Sequence, residues 1–300
     1  MKNTLSPWGR IAALCCLLTG IVRAEDSLPY RQARDVVYGE VHGTGLLMDV
    51  FTPTTRTNGL AVVDVVSGAW SSDRNKIRDH TLAQIYQIFC QRGYTVFAVR
   101  PGSKSRYTLA EMDKNVKTGV RFIKDHAADY GINPARLGLT GASAGGHLAT
   151  LAALTPEPEN PDARDVGQRR GTQVKAVAVF FPPTDLLEWD TGKPADPQIV
   201  VPVLFVGGGT NHTAEEIATR ARQASPLHRV TKPEVPFLIF HGDADKTVPL
   251  SHSQKLVAAI NAAGGSAELV IKPGGGHPWL TMPEEVKKMA DWFDKQLVLP

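Results

Sequence analysis

The chain has 300 residues, 33 Lys and Arg against 30 Asp and Glu, and 42% hydrophobic residues. That composition excludes a disordered or collagen-like chain, and the length suits one large α/β domain with a two-sided core. The charge excess lies in the first 24 residues, where Lys2, Arg10 and Arg23 stand without an acid; beyond them bases and acids number 30 each, so nothing in the balance points to nucleic acid or a membrane surface as partner.

In chain order, Lys2 and Arg10 precede an apolar run, residues 11–22, and then Val22-Arg23-Ala24. This is the layout of a secretory signal peptide cleaved near Ala24. The run is too short to span a bilayer comfortably, so no stable membrane insertion is expected. Residues 25–300 are expected to form one secreted or periplasmic domain of a bacterium. Cleavage removes Cys15 and Cys16 and leaves Cys90, on an apolar helix face, as a buried free thiol.

Residues 36–42 and 46–51 read as strands of a hairpin turning at Gly43-Thr-Gly45. Residues 60–66 form a third strand, and a helix over 77–91 is closed by Gly93. A strand over 94–99 and a helix over 109–130 follow. Next come a strand over 137–140 with its helix over 146–154, and a strand over 174–181 stopped by Pro182-Pro183. The segment 155–227 is otherwise irregular, and 184–211 is expected to be a small cap insertion. Its Gly207-Gly-Gly209 lacks the Gly-Lys-Ser/Thr tail of a phosphate loop. A strand over 237–240, a helix over 251–263, a strand over 267–271 and a helix over 283–297 finish the chain. A hairpin followed by repeated βα units predicts a mostly parallel sheet of roughly eight strands with helices on both faces, and ligand loops at the carboxyl ends.

The chemistry concentrates in three loops. Gly141-Ala-Ser143-Ala-Gly145 joins a short strand directly to a helix, the context that makes G-x-S-x-G a nucleophile elbow. His241-Gly-Asp243-Ala-Asp245 follows the strand over 237–240. Gly274-Gly-Gly-His277 follows the last strand. The chain order Ser143, Asp, His277 is that of α/β-hydrolases. A serine hydroxyl needs a base, histidine titrates near neutrality, and a carboxylate fixes the imidazole tautomer. Both Asp243 and Asp245 are available as the acid; Asp245, before Lys-Thr-Val-Pro, is preferred, with Asp243 capping the loop. His147 and His241 are expected to be structural. His42, His80, His126, His212, His228 and His252 stand in no motif.

An oxyanion hole would use the N–H of Ala144 and a second N–H from Ser67-Gly-Ala69-Trp70, with Ala69 first and Trp70 as the alternative. Trp70, Trp279 and Trp189 are candidates to line an apolar pocket, the first two as substrate-binding residues. The reaction needs no metal and no organic cofactor.

The chain resembles bacterial α/β-hydrolase esterases and lipases of the feruloyl and acetyl-xylan esterase-like group, near the hormone-sensitive-lipase-like family. The resemblance is carried by Met48-Asp-Val-Phe-Thr-Pro53, Val66-Ser-Gly-Ala-Trp70, Asn133 through His147, Phe181-Pro-Pro-Thr-Asp-Leu186, Ala224-Ser-Pro-Leu227 and the two downstream loops. It implies the triad Ser143, Asp245 and His277, and a small-molecule or carbohydrate-linked ester substrate, acetyl and feruloyl esters included. Two positions depart from the family pattern: Ser67-Gly-Ala-Trp70 stands where His-Gly-Gly-Gly is common, and Asn115 where an Asp is. The competing readings are a prolyl-oligopeptidase-like serine peptidase and a non-catalytic binding protein on the same scaffold.

Overall fold

The computed structural model describes residues 28–209 and 211–298; the expected signal peptide and its cleavage position lie outside the described residues. Strands β1 (Tyr30–Val41), β2 (Thr44–Pro53), β3 (Ala61–Val65), β4 (Thr95–Arg100), β5 (Leu137–Ala142), β6 (Ala176–Phe180), β9 (Phe237–Gly242) and β10 (Ala267–Lys272) form one sheet. The short strands β7 (Glu188–Asp190) and β8 (Lys193–Pro194) form a separate hairpin. The sheet order is β1-β2-β4-β3-β5-β6-β9-β10. β2 runs antiparallel to both β1 and β4, and every other pair is parallel.

The central parallel strands are buried on both faces and are accordingly rich in apolar residues; every residue of β3 and β6 is buried, whereas the edge strand β10 is partly exposed. Helices α3 (Leu109–Asp125), α4 (Ala144–Leu154) and α7 (Ser251–Ala262) cover one face, placing Met112, Val116, Leu148 and Ile260 against Val63 and Val177. Helices α1 (Arg74–Leu82), α2 (Ile85–Gln91) and α8 (Met282–Val298) cover the other with Ile77, Phe89, Val286 and Phe293. Helices α5 (Pro197–Leu204) and α6 (Ala214–Ala224) and two short 3-10 turns, Val166–Gln168 and Pro226–Arg229, complete the described elements.

The structure departs from the sequence expectations in several places: β1 begins at Tyr30 rather than 36, and α3 ends at Asp125 rather than 130. The helix over 77–91 is two helices, broken where Gln84 takes a left-handed conformation, φ 60°. A continuous helix would carry Gln84 two turns beyond Ile77 on the buried face; the break turns Ile85, Tyr86, Ile88 and Phe89 inward instead. The first hairpin turns at His42-Gly43, φ 53° and 66°, one residue earlier than expected. The segment 184–211 contains β7, β8 and α5, and α6 follows it where no element was expected. Asn115 is buried and donates Nδ2–H to the Pro101 carbonyl at 2.9 Å, a bond that an aspartate could not make. Cys90 is a buried free thiol whose pKa burial pushes up to about 12.

Helix α8 reaches the centre of the sheet through Phe293, whose ring covers Gly138 so closely that a Cβ there would lie 2.5 Å from the ring. Phe293 is fully buried, so Phe293→Ala should cost about 3–5 kcal/mol. A urea titration reads the loss as a lower midpoint at unchanged slope; a loss below about 1 kcal/mol would mean α8 does not hold β5 in place.

Candidate active site

Ser143 sits between β5 and α4 with φ 53° and ψ −123°, a conformation L-residues rarely adopt. The strand-to-helix reversal requires bare neighbours. A Cβ on Gly145 would stand 2.1 Å from the Val65 carbonyl of β3, and one on Gly141 would stand 2.6 Å from the Gly145 backbone. Gly145 N–H donates to Ser67 O at 3.0 Å, tying the elbow to the loop after β3. Ser143 is thereby held at the carboxyl edge of the sheet, at the N-terminus of α4.

His277 and Asp245 reach the same point from the loops after β10 and β9. These loops touch backbone to backbone: a Cβ on Gly242 would stand 2.1 Å from Gly275 O. Asp243 closes the junction by accepting Gly274 N–H at 2.7 Å, which gives it the loop-capping place. His277 Nδ1 lies 2.6 Å from Asp245 Oδ2, and Nε2 lies 2.9 Å from Ser143 Oγ. A carboxylate can only accept, so Nδ1 carries the proton and Nε2 is left to accept from the serine hydroxyl.

Asp245 is fixed in turn. Its Oδ1 accepts the N–H groups of Thr247 and Val248 at 2.8 and 3.0 Å. Burial acts to raise its pKa, but hydrogen bonding from His241, His277 and the Val248 N–H outweighs burial and holds the carboxyl well below the usual range. His241 donates Nε2–H to Val248 O at 2.9 Å and accepts from Ser253 Oγ at 2.6 Å, so it braces the acid loop from beneath.

The loop after β3 makes a two-residue turn. Gly68 and Ser71 exchange both backbone hydrogen bonds, at 3.0 and 2.9 Å, and Ala69 and Trp70 both have positive φ, 47° and 56°. Such φ values cost each L-residue roughly 1–2 kcal/mol, so something must hold the turn. Trp70 is held by His147: its indole N–H donates to Nδ1 at 3.1 Å, while Nε2–H of His147 donates to Ala224 O at 2.8 Å. The N–H groups of Ala69 and Trp70 have no acceptor among the described residues. Ala144 opens α4, where an N–H has no acceptor within the helix. All three residues line the same cleft as Ser143.

The site opens into a cleft of about 620 Å³, lined by Trp70, Phe181, Trp189, Ile199, Val248 and Met282 among others. Trp189 and Ile199 come from the segment 184–211, and Trp189 is anchored by its indole N–H on Thr247 O at 3.2 Å. Trp279, expected to line the pocket, is not among the lining residues. It packs on Phe180 and Phe181 and donates Nε1–H to Glu285 at 2.8 Å. The ring of Phe181 lies 4.2 Å from that of His277, a contact the sequence does not signal beyond the strand ending before Pro182.

A serine elbow, an acid loop and a histidine loop, in that order along the carboxyl edge of an eight-stranded sheet, define an α/β-hydrolase. The chain belongs to the BD-FAE family, whose model matches residues 48–260. It is 27% identical over 235 residues to the probable carboxylic ester hydrolase LipM of Mycobacterium tuberculosis, covering 76% of this chain and 51% of that protein. Esterase LipQ of the same organism is 26% identical over 247 residues, covering 78% and 54%. The chain thus spans about half the length of these curated relatives. Among solved structures, a truncated carbohydrate esterase from gut microbiota superposes with a TM-score of 0.76 at 26% identity, covering 91% of this chain and 99% of that one.

Burial lowers the pKa of His147 to about 4, the Ala224 bond opposing it, and burial likewise lowers that of His252 to about 4. Unfolding frees both imidazoles to protonate near 6.5, so the unfolded chain binds more protons between those values. Their contribution to stability is complete above about pH 6.5 and falls as the pH drops toward 4. Chemical denaturation across this range should show that fall. His147→Gln, which can still bridge Trp70 and Ala224, should remove about half of it; an unchanged slope would contradict a neutral His147.

Proposed function

We propose that this protein is a secreted serine carboxylesterase. Ser143 attacks the ester carbonyl while His277 takes its proton, and the tetrahedral oxyanion is held by the N–H of Ala144 together with that of Ala69 or Trp70. His277 then protonates the leaving alkoxide, and a water activated by the same imidazole releases the acid from the acyl-enzyme. Asp245 holds the tautomer and stabilises the imidazolium. The observation that carries this reading is the unbroken chain from Asp245 through His277 to Ser143 Oγ, facing free backbone donors in a cleft with apolar walls.

The names of LipM, LipQ and the gut carbohydrate esterase support ester hydrolysis, and the last supports an ester on a carbohydrate. The N-terminal pattern ending at Ala24 supports export. Residues 184–211 act as a cap insertion on the single hydrolase domain and supply Trp189 to the cleft wall. A peptidase reading has one observation in its favour: 28% identity over 182 residues to the acylamino-acid-releasing enzyme of Arabidopsis thaliana, covering 57% of this chain but 21% of that protein.

Hydrolysis of 4-nitrophenyl acetate, butyrate and octanoate should be measurable and should fall by about 10⁴-fold or more in Ser143→Ala. The chain-length profile then sizes the acyl pocket. Equal turnover by wild type and variant would remove the nucleophile assignment. Cleavage of N-acetyl-alanyl 4-nitroanilide in preference to the esters would favour the peptidase.

A further inference from the structure

One end of the cleft carries groups that the ester chemistry does not employ. Lys76, Asp79, His80 and Lys104 line it. Lys76 lies over the loop after β3: a Cβ built on Gly68 would stand 3.4 Å from its Nζ. Its ammonium also meets Asp79 at 3.0 Å. Lys104 donates its backbone N–H to Trp70 O at 2.8 Å, which ties it to the same loop, and its ammonium has no carboxylate partner among the described residues.

His80 is anchored from below. Its Nδ1 lies 2.7 Å from Oδ2 of Asp64, a fully buried carboxylate on β3 that also accepts the Tyr86 hydroxyl at 3.1 Å. As at His277, a carboxylate faces Nδ1; here no serine stands on Nε2, and it is the doubly protonated imidazole, which the Asp64 carboxylate favours, that carries a donor at Nε2. His80 lines the cleft, and its Nε2 has no hydrogen-bond partner among the described residues. Burial opposes protonation of His80, but the Asp64 carboxylate outweighs it and raises the pKa.

The charges at this end do not cancel. Lys76 is offset by Asp79 and a protonated His80 by Asp64, which leaves the charge of Lys104 uncompensated. Lys76, His80 and Lys104 line the same cleft. One uncompensated cation, with further N–H groups lining the same cleft, matches one monovalent oxyanion. We propose, on the basis of the esterase reading, that the substrate carries a carboxylate besides its ester bond, and that this carboxylate is seated by Lys104, Lys76 and His80 Nε2. The carboxylate can hang from the acyl or from the alcohol portion; the chemistry of the seat is the same.

The test compares kcat/KM within two pairs at low ionic strength. Mono-4-nitrophenyl adipate is set against its neutral adipamate isostere, and 4-acetoxybenzoate against 4-acetoxybenzamide. In at least one pair the anion should be preferred by about tenfold, and that pair identifies which portion bears the charge. Lys104→Met, and His80→Asn, whose amide can still donate to Asp64, should each lower that ratio by about threefold or more, as should about 0.5 M salt. Ratios at or below one in both pairs, or ratios indifferent to both variants, overturn the seat while leaving the esterase standing. If none of the four esters is cleaved, the esterase reading fails and calorimetry decides the seat. Adipate or 4-hydroxybenzoate binding to wild type and weakened in Lys104→Met supports it; no binding, or equal binding, overturns it.

Discussion

The backbone of Ser143 is the constraint on which the site depends. Its φ of 53° and ψ of −123° lie where a non-glycine residue pays of order 1–3 kcal/mol. The conformation persists because the surroundings leave no other. Gly141 and Gly145 touch backbone to backbone, Gly145 is pressed on the Val65 carbonyl, and Ser143 N–H is held by Phe180 O at 3.0 Å. Strands β3, β5 and β6, three neighbours at the centre of the sheet, therefore fix the serine. That fixed point has a geometric consequence: Oγ stands clear of the sheet, and the Ala144 N–H is directed outward at the start of α4.

The other parts of the site are held by contacts of different kinds. The acid and histidine loops are aligned by the close approach of Gly242 and Gly275 and by the Asp243 carboxylate, with His241 bracing from below. The loop after β3 carries strain of its own at Ala69 and Trp70, positions where glycine would take such φ values without cost. Here the indole of Trp70 is long enough to reach His147 on α4, and His147 continues to Ala224. A side chain thus supplies the rigidity that two non-glycine residues at positive φ make necessary. It also couples the loop after β3 to the end of α6.

Legibility in the sequence depended on how local the cause was. Elements with a strong period or a sharp stop, such as β5 and α4 around the elbow, or α7 before Gly264, are close to where the pattern puts them, and the residues Ser143, Asp245 and His277 converge as their loops suggest. The break at Gln84 was invisible because it depends on which face α2 must bury, a tertiary demand. Trp279 reads from its loop as a pocket residue, yet Glu285, one turn into α8, captures its indole N–H and turns it away. Phe181 has no motif and is placed beside His277 only by the end of β6. His80 stands in no motif because its partner Asp64 lies 16 residues away, as the one polar residue of an otherwise apolar strand.

The central claim is that Ser143, and no other residue, is the nucleophile. The most direct measurement is covalent trapping with a fluorophosphonate, followed by intact mass and peptide mapping. The account predicts a single adduct on the peptide containing Ser143, formed stoichiometrically and absent in Ser143→Ala, with His277→Ala slowing its formation by orders of magnitude. An adduct on another residue, or none with a folded protein, would contradict it.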